Sequence, residues 1–192
     1  MAAAPITGYP ARFDVEYTEG RNRVTVLFRL LLAIPIVLIM SLITSALRTL
    51  GFAVALMLLF RGRYPRPWFD WYLYASQFTN RVSAYVLLLT DEYPSTTDQQ
   101  RVTTEAALDE AQLSRWPPLV KWLLAIPHYV VLALLLMVAS VVLILAWFII
   151  LITGRMPRGM FEFLVGIMRW AWRVTAYVAL LSTDRYPPFS LK

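Results

Sequence analysis

The chain has 192 residues, 59% of them hydrophobic and 16% charged, with a formal net charge of +6. An ordinary soluble domain is about half apolar and about a quarter charged, so this balance excludes a disordered chain and predicts an integral membrane protein. With no cysteine and one histidine, His128, the sequence also excludes disulfides, thiolate zinc, iron–sulfur clusters, a cysteine nucleophile and a multi-histidine metal centre.

Residues 1–20 are polar, and 11–17 alternate apolar and polar side chains like a short strand. No apolar signal-peptide core lies between Met1 and Arg23, so no cleaved leader is expected. Residues 30–47 are uncharged, Arg48 interrupts, and 49–60 are uncharged again. A turn, Gly62-Arg63-Tyr64-Pro65-Arg66, leads to an amphipathic helix over 68–89. Residues 95–112 read as a polar linker holding a short helix, and 113–192 return to the apolar pattern. The uncharged stretch 122–154 is 33 residues long. As one straight helix it would run roughly 50 Å, against a hydrocarbon core of about 30 Å. It must tilt, begin in the interface or fold back on itself. A second amphipathic helix follows over 160–182.

The chain repeats itself. Leu31-Leu32-Ala33-Ile34-Pro35 recurs 92 positions later as Leu123-Leu124-Ala125-Ile126-Pro127. The same offset relates Gly62-Arg63-Tyr64-Pro65-Arg66 to Gly154-Arg155-Met156-Pro157-Arg158, and 81–85 to 173–177. With one inserted residue, Leu89-Thr90-Asp91-Glu92-Tyr93-Pro94 matches Ser182-Thr183-Asp184-Arg185-Tyr186-Pro187. Ordered blocks at a nearly constant spacing define tandem repeats, 21–94 and 113–192 with the linker between them.

Those blocks also carry a likeness. The run 122–127 with His128, then 153–158, Arg169-Trp170 and 181–191, resembles an uncharacterised bacterial membrane family, the domain of unknown function numbered forty-three eighty-nine. The first repeat departs from it at Arg48, at Ile36 in place of His128, and at Pro67 in place of Gly159. The resemblance implies a bacterial membrane protein and brings no activity, substrate or catalytic residue.

Arg61, Arg63 and Arg66 flank the first turn; Arg155 and Arg158 flank the second. Positive residues at span ends favour the cytoplasm, which places both turns and both termini there. The expected fold is an all-α integral membrane protein of two parallel repeats, with about four crossings plus amphipathic interfacial helices. Two arrangements give four crossings. In one, each long apolar segment is a two-pass hairpin and helices 68–89 and 160–182 lie in the interface. In the other, Pro35 and Pro127 start single spans and the amphipathic helices cross as well. Glu162, Arg169 and Arg173 share one helical face, as do Asp70, Gln77 and Arg81. An arginine at mid-span costs about 2.5–3.5 kcal/mol on insertion scales, which favours the hairpin arrangement.

Asp70, Arg81, Glu162, Arg169 and Arg173 are candidates for polar contacts between the repeats. The arginine turns are candidates for lipid headgroups, because guanidinium pairs well with phosphate. The tryptophans near predicted helix ends read as an aromatic belt, and His128 as a cap or interfacial residue. Neither Asp70 nor Glu162 has a histidine or serine neighbour in a recognisable motif, and no cofactor motif is present. The basic residues sit at membrane boundaries instead of one soluble face, so nucleic acid is not a partner. The expected function is a noncatalytic accessory or scaffold subunit of the bacterial inner membrane. Its partners would be membrane lipids and another membrane protein or itself. A small transporter or channel, for which Ser41, Thr44, Ser45 and Arg48 form the polar cluster, is the alternative.

Overall fold

The computed structural model describes residues 8–108 and 117–192. Two strands and six helices follow in the order β1 (Ala11–Val15), α1 (Arg23–Leu27), α2 (Arg29–Arg61), α3 (Arg66–Val86), β2 (Val102–Ala106), α4 (Pro117–Leu124), α5 (Ile126–Thr153) and α6 (Arg158–Val178).

Each long apolar segment is one continuous helix, which corrects the hairpin expectation. Leu, Ile, Val and Ala fill both segments, and neither Arg48 nor Ala139-Ser140 supplies a turn. Pro35 and Gly51 lie within α2 without reversing it, α5 has neither residue at its middle, and the backbone of both satisfies its own hydrogen bonds by staying helical. Pro35 lies inside α2, whereas Pro127 occupies the first turn of α5, so only the second proline starts a helix. Both helices end on a left-handed glycine, Gly62 (φ 63°) and Gly154 (φ 72°), whose N–H groups donate to Leu58 O and Ile150 O. These glycines turn the chain at equivalent places. The two long helices, α2 and α5, are long and apolar enough to cross a membrane.

The fold is not wholly helical. β1 pairs antiparallel with β2, in the register Ala11↔Ala106, Phe13↔Thr104 and Val15↔Val102. Alternation marks β1 as a strand, and β2 sits where a short helix was expected. Val102 and Thr104 point inward and Thr103 and Glu105 outward, a period of two that a helix cannot bury. Residues 109–112 of that linker lie outside the described residues, as does Trp116.

The ladder's central pair, Phe13↔Thr104, joins residues 91 apart, one short of the repeat offset, and the two accept matching hydrogen bonds from the amphipathic helices. An antiparallel pair carries a local two-fold axis normal to the sheet, and this one relates the repeats. Arg169 Nε donates to Phe13 O (3.2 Å), and Gln77 Nε2 donates to Thr104 O (3.1 Å). Residues 77 and 169 are again 92 apart. The two-fold thus takes in the strands as well as the helices.

Packing across this axis is exchanged: β1 lies on α6 and β2 on α3, while α1 packs on α5 and α4 on α2. Trp147 Nε1 donates to Val26 O (3.1 Å), and Tyr64 Oη to Leu180 O (2.8 Å). Neither repeat closes its core alone. The main core runs through both copies, from Phe13 and Val26 to Phe161, Leu164 and Trp172.

The amphipathic helices α3 and α6 turn their apolar faces inward. Phe161, Leu164, Val165, Trp172 and Tyr177 are all buried. On α6, Gly166 admits the C-terminal segment: a Cβ there would stand 2.9 Å from Leu191 Cβ and Leu191 O. Gly166→Ala is expected to push that segment off the helix. The thermal midpoint in detergent should fall by a few degrees, for a loss of about 1 kcal/mol, and carboxypeptidase should trim the tail faster. An unchanged midpoint and trimming rate would count against the contact.

Candidate functional site: a duplicated cation–aspartate clamp

At the start of α2, the Arg29 side chain is 2% exposed. Its Nη2 meets Asp91 Oδ1 at 2.5 Å, and its Nη1 donates to Tyr85 O (3.1 Å) and Thr90 O (2.7 Å). The guanidinium lies 4.0 Å from the centre of the Tyr85 ring. Asp91 also accepts, at Oδ2, the backbone N–H of Asn22 (2.8 Å), the residue that caps α1.

The second copy repeats the arrangement. Lys121 is 1% exposed; its Nζ meets Asp184 Oδ1 at 2.7 Å and donates to Thr183 O (2.8 Å). The ammonium stands 5.1 Å from the Tyr177 ring. Burial lowers the Lys121 pKa from the usual lysine value, and Asp184 opposes that shift. Residues 29 and 121, and 85 and 177, are 92 apart; 91 and 184 are 93 apart because of the inserted residue.

What brings each aspartate back to its cation is a left-handed leucine. After α3 and α6 the backbone turns through Leu88 (φ 62°) and Leu181 (φ 56°), again equivalent positions. A leucine in this region is strained. Burial of both side chains, at 3% and 2% exposure, holds it there, and the turn aims the Thr90 and Thr183 carbonyls at the cations. A buried ion pair contributes little net stability, but removing one partner strands a charge in a dry site. The clamp acts as a latch that fixes the return of each amphipathic helix to the foot of its long helix.

Sequence reasoning quoted Thr90-Asp91 and Thr183-Asp184 only as markers of the repeat, and passed over Arg29 and Lys121. The available signal was a basic residue two positions before the repeated Leu-Leu pairing with the repeated Thr-Asp, a charge retained in both copies.

The predicted site residues are placed elsewhere. Arg169 reaches across the repeats to Asp14 (2.6 Å), and Arg173 donates to Ser190 O and Arg169 O. Arg81 donates to Ser95 O (2.6 Å). Glu162 pairs with Arg158 on the surface at 2.9 Å, and Asp70 is exposed. The polar stripes are therefore not paired with each other. Arg61, Arg63, Arg66 and Arg155 are exposed around the turns. A cleft of about 930 Å³ lies between the sheet and the amphipathic helices, lined in part by Arg12, Asp14, Gln77, Glu105 and Arg169.

His128 is fully buried, not interfacial. Trp170 Nε1 donates to its Nδ1 (3.0 Å), and Phe189 stacks on it at 4.0 Å. Trp170 and Trp172 are core residues and not part of a belt, while Trp71 and Trp122 are exposed. In the first repeat the matching pair is Ile36 against Phe78, a purely apolar contact. Among the described residues, no three His, Asp or Glu side chains converge to hold a metal ion.

Asp91→Asn and Asp184→Asn should each destabilise the fold by about 3 kcal/mol, since each leaves a buried cation without its carboxylate. Lys121→Arg should cost far less. Chemical unfolding in detergent measures both, and equal losses in all three variants would show that the ion pairs are incidental. Compared with known proteins, the chain matches no curated protein and no solved structure. The family model described as a domain of unknown function, DUF4389, matches residues 23–97 and 115–190, which covers both clamps. The chain thus belongs to the DUF4389 family, as two tandem copies of its domain.

Proposed function

We propose that the chain is a noncatalytic scaffold or accessory subunit of the bacterial cytoplasmic membrane, held in the bilayer by α2 and α5. One observation carries this reading. In the most apolar stretch of each long helix only 17% of the residues are buried, so nearly the whole circumference is left for lipid. Leu30, Leu42, Phe52 and Phe60 on α2, and Met137, Ile144 and Ile152 on α5, are 59–78% exposed. A water-facing helix with that surface would aggregate.

The two-fold axis supports parallel repeats. An axis in the bilayer plane would put the sheet, which straddles it, at hydrocarbon depth. Arg12 and Glu105 of that sheet are exposed, and charges at that depth are costly. With the axis along the membrane normal, both arginine turns stand at one level. Arg61, Arg63, Arg155 and Arg158 can then face anionic headgroups together. Buried Arg29 and Lys121 support a structural role, because their aspartates occupy them.

Alkaline carbonate should leave the protein in the membrane fraction, and vesicles carrying it should show no added ion or solute flux. Single cysteines replacing the exposed Arg63 and Arg155 should label from the same side. Release by carbonate or reproducible flux would defeat the scaffold reading; labelling from opposite sides would defeat the parallel arrangement.

A further inference from the structure

Arg48 stands near the middle of α2, exposed, and among the described residues it makes no hydrogen bond or ion pair. It shares one face with Ser41 and Ser45, at spacings of three and four. That face is turned away from the buried stripe of Arg29, Ile36, Leu47, Val54 and Leu58. Two of the hydroxyls here satisfy themselves on the helix: Ser41 donates to Leu38 O (2.7 Å) and Thr49 to Ser45 O (3.2 Å). Arg48 has no such outlet.

The two-fold fixes the surroundings of Arg48. Its counterpart is Ser140, since each stands 14 residues before its helix-capping glycine. At that level α5 exposes Met137 at 69%, Val141 at 56%, Ile144 at 59% and Phe148 at 53%. The same level on α2 therefore lies in hydrocarbon. Along the helix, Arg48 is about 20 Å from Arg61 and about 28 Å from Arg29, well inside the apolar stretch.

We propose that the Ser41–Ser45–Arg48 face of α2 docks a transmembrane helix of another membrane protein, one that carries an aspartate or glutamate at mid-membrane. Charge complementarity selects this occupant: an unpaired guanidinium in a medium of low dielectric recruits a carboxylate. The small serines let a second helix approach closely. A second copy of this chain is a poor match, because the uncharged stretches of α2 and α5 hold no acid and a symmetric contact would set Arg48 against Arg48. The inference rests on the scaffold reading and specifies its partner.

The test uses the full chain in phosphatidylcholine vesicles, with a donor dye on Phe52→Cys of the same face. The probes are apolar transmembrane peptides that differ only in a central Glu, Gln or Leu and carry an acceptor. The Glu peptide should associate about tenfold more strongly than the Leu peptide. That preference should vanish in Arg48→Leu, persist in Arg48→Lys, and transfer to a central-Lys peptide in Arg48→Glu. Equal association of the Glu and Leu peptides with the native chain would overturn the proposal. So would Arg48-dependent energy transfer to labelled phosphatidylglycerol without a Glu preference, which assigns the face to lipid. Transfer to an acceptor-labelled second copy as strong as to the Glu peptide would assign it to self-association. Flux and carbonate extraction, measured on the same vesicles, read the scaffold hypothesis separately from the peptide result.

Discussion

A cation buried at the foot of each long helix, held by an aspartate that arrives from the far end of the following amphipathic helix, is the constraint on which this structure hangs. Arg29 and Lys121 are almost fully enclosed, and neither can be enclosed without Asp91 or Asp184. The requirement propagates outward. Returning the aspartate demands the strained leucine turn at Leu88 or Leu181. That turn fixes where α3 and α6 end, and so which of their faces meets the long helix and which meets the sheet.

The clamps close each repeat on itself, and the two-fold joins one repeat to the other. The strands and short helices are exchanged, so the core of each copy is finished by the opposite one. Arg169 illustrates the coupling: it donates to Phe13 O and pairs with Asp14, binding the last helix to the first strand. Such exchange makes separate unfolding of one repeat costly, because opening either copy uncovers apolar surface of both.

Much of this was legible in the sequence. The 92-residue offset gave the duplication, the Gly-Arg-x-Pro-Arg blocks gave the helix ends, and alternation over 11–17 gave β1. The strand β2 was hidden because Val102-Thr103-Thr104-Glu105-Ala106 is polar on one side and short, and its identity depends on pairing with a partner some 90 residues away. The continuity of α2 and α5 was missed because a length beyond one bilayer thickness invited a hairpin, although α5 has no turn residue at its middle and Gly51 alone does not reverse α2. Arg29 and Lys121 were missed for a different reason. A basic residue before an apolar run reads as an interfacial anchor, and only the returning loop shows it to be interior. The same limit applied to Trp170 and His128, whose burial depends on the segment around Phe189 folding over them.

The two-fold has one more consequence, set by how the copies are joined. In a dimer of identical chains, any residue on one side of the axis must appear on the other. Joining the copies in one polypeptide lifts that requirement while keeping the geometry. Ile36 against Phe78 on one side thus coexists with His128 hydrogen-bonded to Trp170 on the other, and a single arginine stands opposite a serine. Identical chains would have had to bury two histidines or carry an arginine near the middle of both long helices. Covalent linkage lets the molecule keep a symmetric frame and still give each flank its own chemistry.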